Sequence, residues 1–491
     1  AHAVRAYFDN GGARLYVARV GGAGAVAAAS ALVVDGGGAA DNARFIARAT
    51  GAAGNGTIVA RLMAAPVSAA TLGNTAQGSL LRANGPTLAV RRGNAWQDAA
   101  GAPVATAGLT NTEILTLAVT LTDASGAAIE LDDLGFDSAH PRWVGHVLAV
   151  DPLRRIDQLQ NLFALEIGAN VTGFELFAAL FTAGPQLAIP LTGGSDGAMP
   201  GAAAYQTALN ELARLEDIAI VAAPGCSTAP AADFATIQQA LIGHAEARRA
   251  YRIAVLDTPP ALEVSGAREV RGQIDSKYAA LYYPWVVVAN PLAQPGRDDI
   301  PKEITLPPSG FVCGIYARND VERGVHKAPA NEIVRGALRF ETDVNFDEQG
   351  VLNPIGVNCL RYLTGRGYRV WGARTASSDP EWKYVNIRRY FNYLEASIDR
   401  STQWAVFEPN GERLWANVRQ TIADFLYNEW KNGALLGSKP EEAFFVRCDR
   451  STMTQNDLDN GRLICLIGVA AIKPAEFVIF RIGQKTADAQ S

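Results

Sequence analysis

Two short and almost wholly apolar runs constrain the fold of this chain more than anything else in it. Asp217–Ala223 (DIAIVAA) and Arg252–Asp257 (RIAVLD) each have the length and character of a strand buried on both faces. Between them, Asp233–Arg249 places Phe234, Ile237, Leu241 and His244 along one side of a helix. A strand, a helix and a second buried strand predict a right-handed parallel crossover. Trp285–Ala289 (WVVVA) supplies a further buried strand, so βα alternation governs the chain from Leu187 onward.

The flanking regions have other textures. From about Gly51 to Trp143 the chain is rich in Thr, Gly, Asn and Val, with short alternating runs such as Thr87–Arg91 and Leu115–Leu121. Gly-Asn and Asn-Gly pairs between these runs predict hairpins. Before them, Arg14–Val20 reads as a strand and the Gly/Ala-rich Gly21–Ala40 as loop. After the βα region, Ile387, Tyr390, Phe391, Leu394 and Ile398 recur at helical spacing, as do Trp415, Val418, Ile422, Phe425 and Leu426. Gly411 and Gly433 punctuate the second helix. Strands are expected at Glu442–Arg447, Arg462–Val469 and Phe477–Ile482. At 491 residues, about three domains are expected. The boundaries read as 1–50 for the start of a core domain, 51–186 for a β-rich inserted module, 187–376 for an α/β domain and 377–491 for an α+β domain. No internal repeat is visible.

The last of these strands has nothing after it to cover its edge. Phe477, Ile479 and Arg481 fall on one face and Val478, Phe480 and Ile482 on the other, so neither face suits open water. Soluble monomers blunt exposed edges, and a single charge does little of that here. Such a segment reads as one made to complete another subunit's sheet by β-augmentation; the plainer alternative is an internal strand that happens to come last.

Composition excludes several classes. Lys plus Arg numbers 44 and Asp plus Glu 49, a net charge of −5, which gives no basic excess for nucleic acid. Cys226, Cys313, Cys359, Cys448 and Cys465 are scattered and never spaced C-x-x-C, which predicts reduced, mostly buried thiols. The longest apolar run, Leu463–Ile472, falls short of the roughly 20 residues that span a bilayer, and no signal peptide is visible.

Three motifs imitate chemistry. Gly193-Gly194-Ser195-Asp196-Gly197 matches the G-x-S-x-G nucleophile elbow, but Pro200 and Gly201 intervene before the helical run near Tyr205, and an elbow needs its helix at once. His244, on an apolar helix face, reads as a core histidine rather than a base. Gly22–Ala27 imitates G-x-G-x-x-A with no room for the helix a dinucleotide needs. Asp449, Asp457 and Asp459 lack the order of a calcium loop, so turn and cap roles are expected. The aromatic residues Tyr282, Tyr283, Trp285, Trp371, Trp382 and Trp404 read as core. Gly310, Gly314, Ala328 and Ala330 are small enough to let backbone segments approach closely. Lys431, Lys439 and Arg447 read on their own as a solvated face. No cofactor or metal is expected.

Several stretches resemble the tail-sheath proteins of contractile phage tails and phage-tail-like injection systems. They include RAYFDNGGARLYVARV (Arg5–Val20), LTGGSDG (Leu191–Gly197), YAALYYPW (Tyr278–Trp285), PPSGFVCGIYARND (Pro307–Asp320) and KAPANE (Lys327–Glu332). LNPIGVNCLR (Leu352–Arg361), GYRVWGART (Gly367–Thr375), AVFEPNGERLWANVR (Ala405–Arg419) and the dense run Phe425–Ile482 complete the set. The resemblance implies a subtilisin-like α/β topology without the activity, an outward β-rich module, and a C-terminal domain whose terminal strand is exchanged between subunits. It implies a non-enzymatic structural subunit that polymerises helically around an inner tube and contracts. The partners implied are the chain itself, the inner tube protein, a baseplate and a terminal cap, with no nucleic acid and no membrane insertion. Assembly in the bacterial cytoplasm is implied, as is an N-terminal arm before Ala1. Lys431, Lys439 and Arg447 become a surface facing an acidic tube. The competing readings are a serine hydrolase built on Ser195 and a monomeric binding module built on the β-rich insert.

Overall fold

Four parallel strands run side by side in the order of the chain: Ile220–Ala222, Ile253–Asp257, Ala279–Tyr283 and Val357–Leu363. The antiparallel strands Gly367–Val370 and Glu332–Ile333 extend this sheet at the far edge. These strands belong to a computed structural model that describes residues 2–85, 87–154, 161–293, 295–296 and 300–476. Side chains alternate between two cores, as pleating requires. Ala254, Leu256, Leu281 and Tyr283 pack with Phe234, Ile237 and Leu241 of the Ala231–Glu246 helix. Ile253, Val255, Ala280 and Tyr282 pack with Phe311, Val312, Ile315 and Tyr316 of the Ser309–Arg323 helix. Burial on both faces explains why the strands read as unbroken apolar runs. Val286–Ala289 is a strand but not a member of this sheet. It pairs antiparallel with Glu303–Leu306 and Ala337–Phe340.

The Ser309–Arg323 helix begins after Pro308, which offers no capping side chain. Asp257, at the end of its strand, does that work from across the fold. Its carboxylate accepts from the Ser309 amide at 2.7 Å and the Ser309 hydroxyl at 2.6 Å. Burial pushes this carboxyl up to about 7, against the pull of the Ser309 hydrogen bonds. Gly310 and Gly314 let the N-terminal helix His2–Asp9 lie directly against this one. A Cβ on Gly310 would stand 2.8 Å from the Ala3 carbonyl, and one on Gly314 would stand 2.3 Å from that of Tyr7. Asn10 fastens the end of the short helix, exchanging hydrogen bonds with the Arg335 backbone while Arg318 donates to its carbonyl.

The expected strand at Arg14–Val20 does not form. Among the described residues that segment joins no ladder. Arg14 instead pairs with Asp217 at 2.6 Å, and the Tyr16 hydroxyl donates to the same carboxylate. Alternating apolar residues specify a strand only where an edge is available to receive it.

The chain falls into two compact units, one made of Ala1–Arg19 with Gly201–Ser491, the other of Val20–Pro200. The second unit is β-rich. Its larger sheet centres on Thr57–Pro66 paired antiparallel with Glu113–Thr122 along its whole length. Gln186–Pro190 pairs with the other side of Thr57–Pro66. Gly93, at φ +58, turns Thr87–Arg92 into Ala95–Gln97 across a two-residue loop, as the Gly-Asn pair there predicts. The unit starts before residue 51 because Ala43–Thr50 pairs with Phe163–Ile167, placing Phe45 and Phe163 in one core. Part of the Gly/Ala-rich stretch is ordered too, since Ala27–Ala29 pairs with Ala43–Thr50.

In the C-terminal part, the Val385–Ser401 and Glu412–Lys431 helices bury Tyr390, Leu394, Trp415, Val418, Ile422 and Leu426 in a core of their own. The strand expected at Glu442–Arg447 begins later, at Phe444. Pro440 opens a short helix through Ala443, and Glu442 accepts from the Ser438 amide ahead of it. Its partner strand is Leu466–Val469, shorter than the expected Arg462–Val469.

Gly314→Ala is expected to destabilise the chain by about 1–3 kcal/mol in denaturant unfolding, because the new methyl displaces the His2–Asp9 helix. Gly350→Ala, whose added Cβ meets nothing within 4 Å, is expected to stabilise it by up to about 1 kcal/mol.

Candidate functional site

The Phe444–Arg447 and Leu466–Val469 strands form a ribbon of only two, with Phe444 opposite Val469 and Arg447 opposite Leu466. Among the described residues neither outer edge is paired. Phe445 and Leu466 are about half exposed, at 55 % and 48 %. A two-stranded ribbon is marginal alone, and this one leans on the Glu412–Lys431 helix through Phe444 and Val446.

A buried polar network joins the helices beneath the ribbon to the parallel sheet. The Arg388 guanidinium is sandwiched between the rings of Tyr278 and Trp382, at 4.6 and 4.4 Å from their centroids. It donates to Asn392 at 2.9 Å and to Glu395 at 2.8 Å. Asn392 passes the connection on, donating to the Arg252 carbonyl at the head of a sheet strand. Its neighbour Arg389 grips both oxygens of Asp320 on the Ser309–Arg323 helix and lies over Tyr316. A buried guanidinium is tolerated only where it is paired and hydrogen-bonded, and both of these are.

Past the ribbon, residues 470–476 form a stem fastened at successive points. The Ala470 amide donates to the Ala443 carbonyl, and the Leu436 amide donates to that of Ala470, each at 2.8 Å. Asn386 donates to the Ile472 carbonyl. Glu476 then enters a socket made by Asn353 and Arg374 of the central domain and by Lys383 and Tyr384 just past its end. Its carboxylate accepts from Arg374 twice, at 2.7 and 2.6 Å, from Asn353 at 2.6 Å and from the Tyr384 hydroxyl at 3.1 Å, with Lys383 at 3.6 Å. Burial works to raise this carboxyl. The hydrogen bonds from Arg374 and Asn353, with the Arg374 and Lys383 charges, outweigh it and hold the group down to about 2.

Phe477, Val478, Ile479, Phe480, Arg481 and Ile482 lie outside the described residues. Lys431 ends its helix, Lys439 precedes the Pro440–Ala443 helix, and Arg447 ends the first ribbon strand; all three are exposed. The sequence brings them near one element without showing what they face. Glu476 and Arg374 were missed altogether. The signal for them is faint: one acid just before an alternating apolar run, and the second of two arginines in GYRVWGART.

The imitated motifs have structural roles. Ser195 exchanges backbone hydrogen bonds with Val26, and its hydroxyl accepts from the Gly197 amide. Asn55 brackets Gly194 through both its amide atoms. No helix starts until Ala202. A nitrogen of His244 is taken by Arg252, and burial followed by the Arg252 charge lowers this imidazole to about 4. Asp449 and Asp457 accept from nearby amides and hydroxyls as turn and cap groups, and Asp459 accepts from Gln455. Four cysteines are buried and Cys465 partly so, all as free thiols; burial pushes Cys226, Cys313 and Cys359 up to about 12. Among the described residues no helix is long and apolar enough to cross a membrane.

Residues 198–376 match the phage tail sheath protein central domain, and residues 377–485 match the phage tail sheath C-terminal domain. A chain in the baseplate of the anti-feeding prophage is 31 % identical, with 60 % of this chain and 78 % of that one covered and a TM-score of 0.50. The helical sheath of the same particle in its contracted state is 32 % identical, with 62 % and 79 % covered and a TM-score of 0.50. This chain belongs to the contractile tail sheath family. A putative prophage major tail sheath protein of Pseudomonas aeruginosa strain UCBPP-PA14 is 26 % identical over 267 residues, 54 % of this chain. The match spans 64 % of that relative, less than two thirds of its length. Sheath proteins are structural, in keeping with a Ser195 that serves a turn; a hydrolase finds no support.

The Glu476 socket has a pH signature. An unfolded glutamate titrates near 4.5 and the folded one near 2, so between these values the unfolded chain binds the extra proton. Stability contributed by Glu476 is therefore full above about 4.5 and is lost as pH falls through about 2. The stability gap between the native chain and Glu476→Gln is expected to shrink over that window in urea unfolding at successive pH values.

Proposed function

We propose that this chain is a structural subunit of a contractile sheath, polymerised helically around an inner tube and contracting to drive that tube through a target envelope. One observation carries the reading beyond family membership. The C-terminal ribbon has two strands with both outer edges open among the described residues, in a chain whose next residues alternate apolar side chains on both faces. Each subunit lends residues 477–482 to the ribbon of a neighbour, where an N-terminal arm pairs as well. Lending in one direction is a head-to-tail contact that does not close, which generates a helical filament.

The same reading assigns the other parts. Residues 201–376, with 1–19, form a subtilisin-like α/β domain and 20–200, rather than 51–186, an outward module; 377–491 form the domain nearest the tube. Lys431, Lys439 and Arg447 face an acidic tube wall, where weak charge pairing holds and then releases. Backbone hydrogen bonds of the lent strands keep subunits in register while the domains rotate as rigid bodies. The extended array is metastable, and larger contacts between outer domains release energy on contraction. Baseplate and cap proteins close the two ends, and assembly takes place in the bacterial cytoplasm.

Deleting residues 477–491 is expected to leave folded, soluble subunits and no rods in negative-stain electron microscopy; rods of normal length from the truncated chain defeat the lending of strands. Lys431→Glu combined with Lys439→Glu is expected to reduce co-sedimentation with tube protein, most strongly at low ionic strength. Unchanged co-sedimentation removes those residues from the tube-facing surface.

A further inference from the structure

The stem that leads to the terminal segment is fastened at two places within one compact unit. Ala470 is bonded to the ribbon side of the C-terminal domain. Six residues later, Glu476 sits in a receptor made by Asn353, Arg374, Lys383 and Tyr384. The side chain of Arg374 is 7 % exposed and that of Glu476 is 16 % exposed. The receptor is built for a carboxylate. Arg374 presents two N–H groups to the two oxygens in the fork arrangement that matches this group. Asn353 turns its amide nitrogen to Glu476 and leaves its own oxygen buried without a partner among the described residues. A buried acceptor without a donor is costly, and here that cost accompanies a donation to Glu476.

The receptor is in turn held by the parallel sheet. The Arg374 amide donates to Asn358 Oδ1 at 2.6 Å, and Asn358 Nδ2 donates to the carbonyls of Arg374 and Leu281. Asn358 is fully buried on the Val357–Leu363 strand. A third N–H of Arg374 goes to the Pro354 carbonyl at 3.0 Å. Without Glu476, Arg374 is a buried charge with no counter-charge among the described residues, which the fold penalises heavily. The socket is complete only when the stem is seated.

We propose that Glu476 is the positioning residue that fixes the exit point of the terminal segment, coupling a lent strand to its donor's central domain rather than to the ribbon the stem has just left. This rests on the strand-lending reading. Rotation of the donor's central domain is then passed directly to the neighbour holding the strand, with no slack at the root. The stem acts as a rigid link.

Three full-chain variants test this. Glu476→Gln removes the charge, a Gly-Ser-Gly insertion between Glu476 and Phe477 leaves the socket untouched but loosens the segment beyond it, and deletion of 477–491 removes the strand. In unassembled subunits, chymotryptic cleavage after Phe477 requires the protease to engage residues 474–477 and so takes Glu476 out of the socket, whereas cleavage after Phe480 engages residues 477–480 and leaves Glu476 in place. Glu476→Gln is expected to raise the first relative to the second by about ten-fold or more, the scale of one lost charge-assisted hydrogen bond. The insertion is expected to reduce the yield of long sheaths about ten-fold while leaving thermal unfolding unchanged; should Glu476→Gln fail to fold, this variant alone decides. An unchanged cleavage ratio, or long sheaths from the insertion variant at native yield while the deletion abolishes them, overturns the positioning role and leaves strand lending intact. Long sheaths from the deletion variant overturn both.

Discussion

Two adjacent arginines, Arg388 and Arg389, hold the larger unit together, because neither can be buried without obliging other residues to meet it. Arg388 calls for an aromatic slot and finds it between Tyr278 and Trp382; Arg389 calls for a carboxylate and finds both oxygens of Asp320. Those partners lie next to the third parallel strand, before the Val385–Ser401 helix and on the Ser309–Arg323 helix, so a single turn of helix is tied to three parts of the molecule. Burying such charges adds little net stability over a well-packed apolar alternative. What they add is uniqueness: a shifted packing of the helix strands a guanidinium in the core.

Much of the fold was legible in the sequence because its signals were local. The first two parallel strands and the Ala231–Glu246 helix appear close to the expected positions, since burial on both faces leaves an unbroken apolar run; Ala279–Tyr283 and Val357–Leu363 were not read as strands. Gly310 and Gly314 were legible as points of close approach, although not that His2–Asp9 is the segment that approaches. Arg14–Val20 was misread because alternation describes one strand while a ladder needs two. The start of the β-rich unit at Val20 was missed for a related reason: Ala43–Thr50 acquires its place from Phe163–Ile167, more than a hundred residues away, and nothing in its own composition reports that partner.

The candidate site was legible in a different measure. The two ribbon strands can be inferred from their apolar runs, Glu442–Arg447 and Arg462–Val469. The socket around Glu476 cannot, since Asn353, Arg374 and Tyr384 are drawn from three segments that only tertiary folding brings together. Ser195 shows the converse. A five-residue pattern imitates a nucleophile elbow, the intervening Pro200 and Gly201 argue against one, and the backbone around it, bracketed by Asn55 and paired with Val26, is a turn whose glycines serve geometry.

The placement of Val20–Pro200 has a consequence of its own. The chain leaves one compact unit at Arg19 and re-enters the same unit at Gly201, so the intervening stretch is, for its host, an enlarged loop. The entropy of closing a loop grows only slowly with its length. Relatives are therefore free to trim, exchange or elaborate this appendage while the host's connectivity stays constant. Novelty in such a lineage should accumulate at the appendage, leaving the host unit conservative.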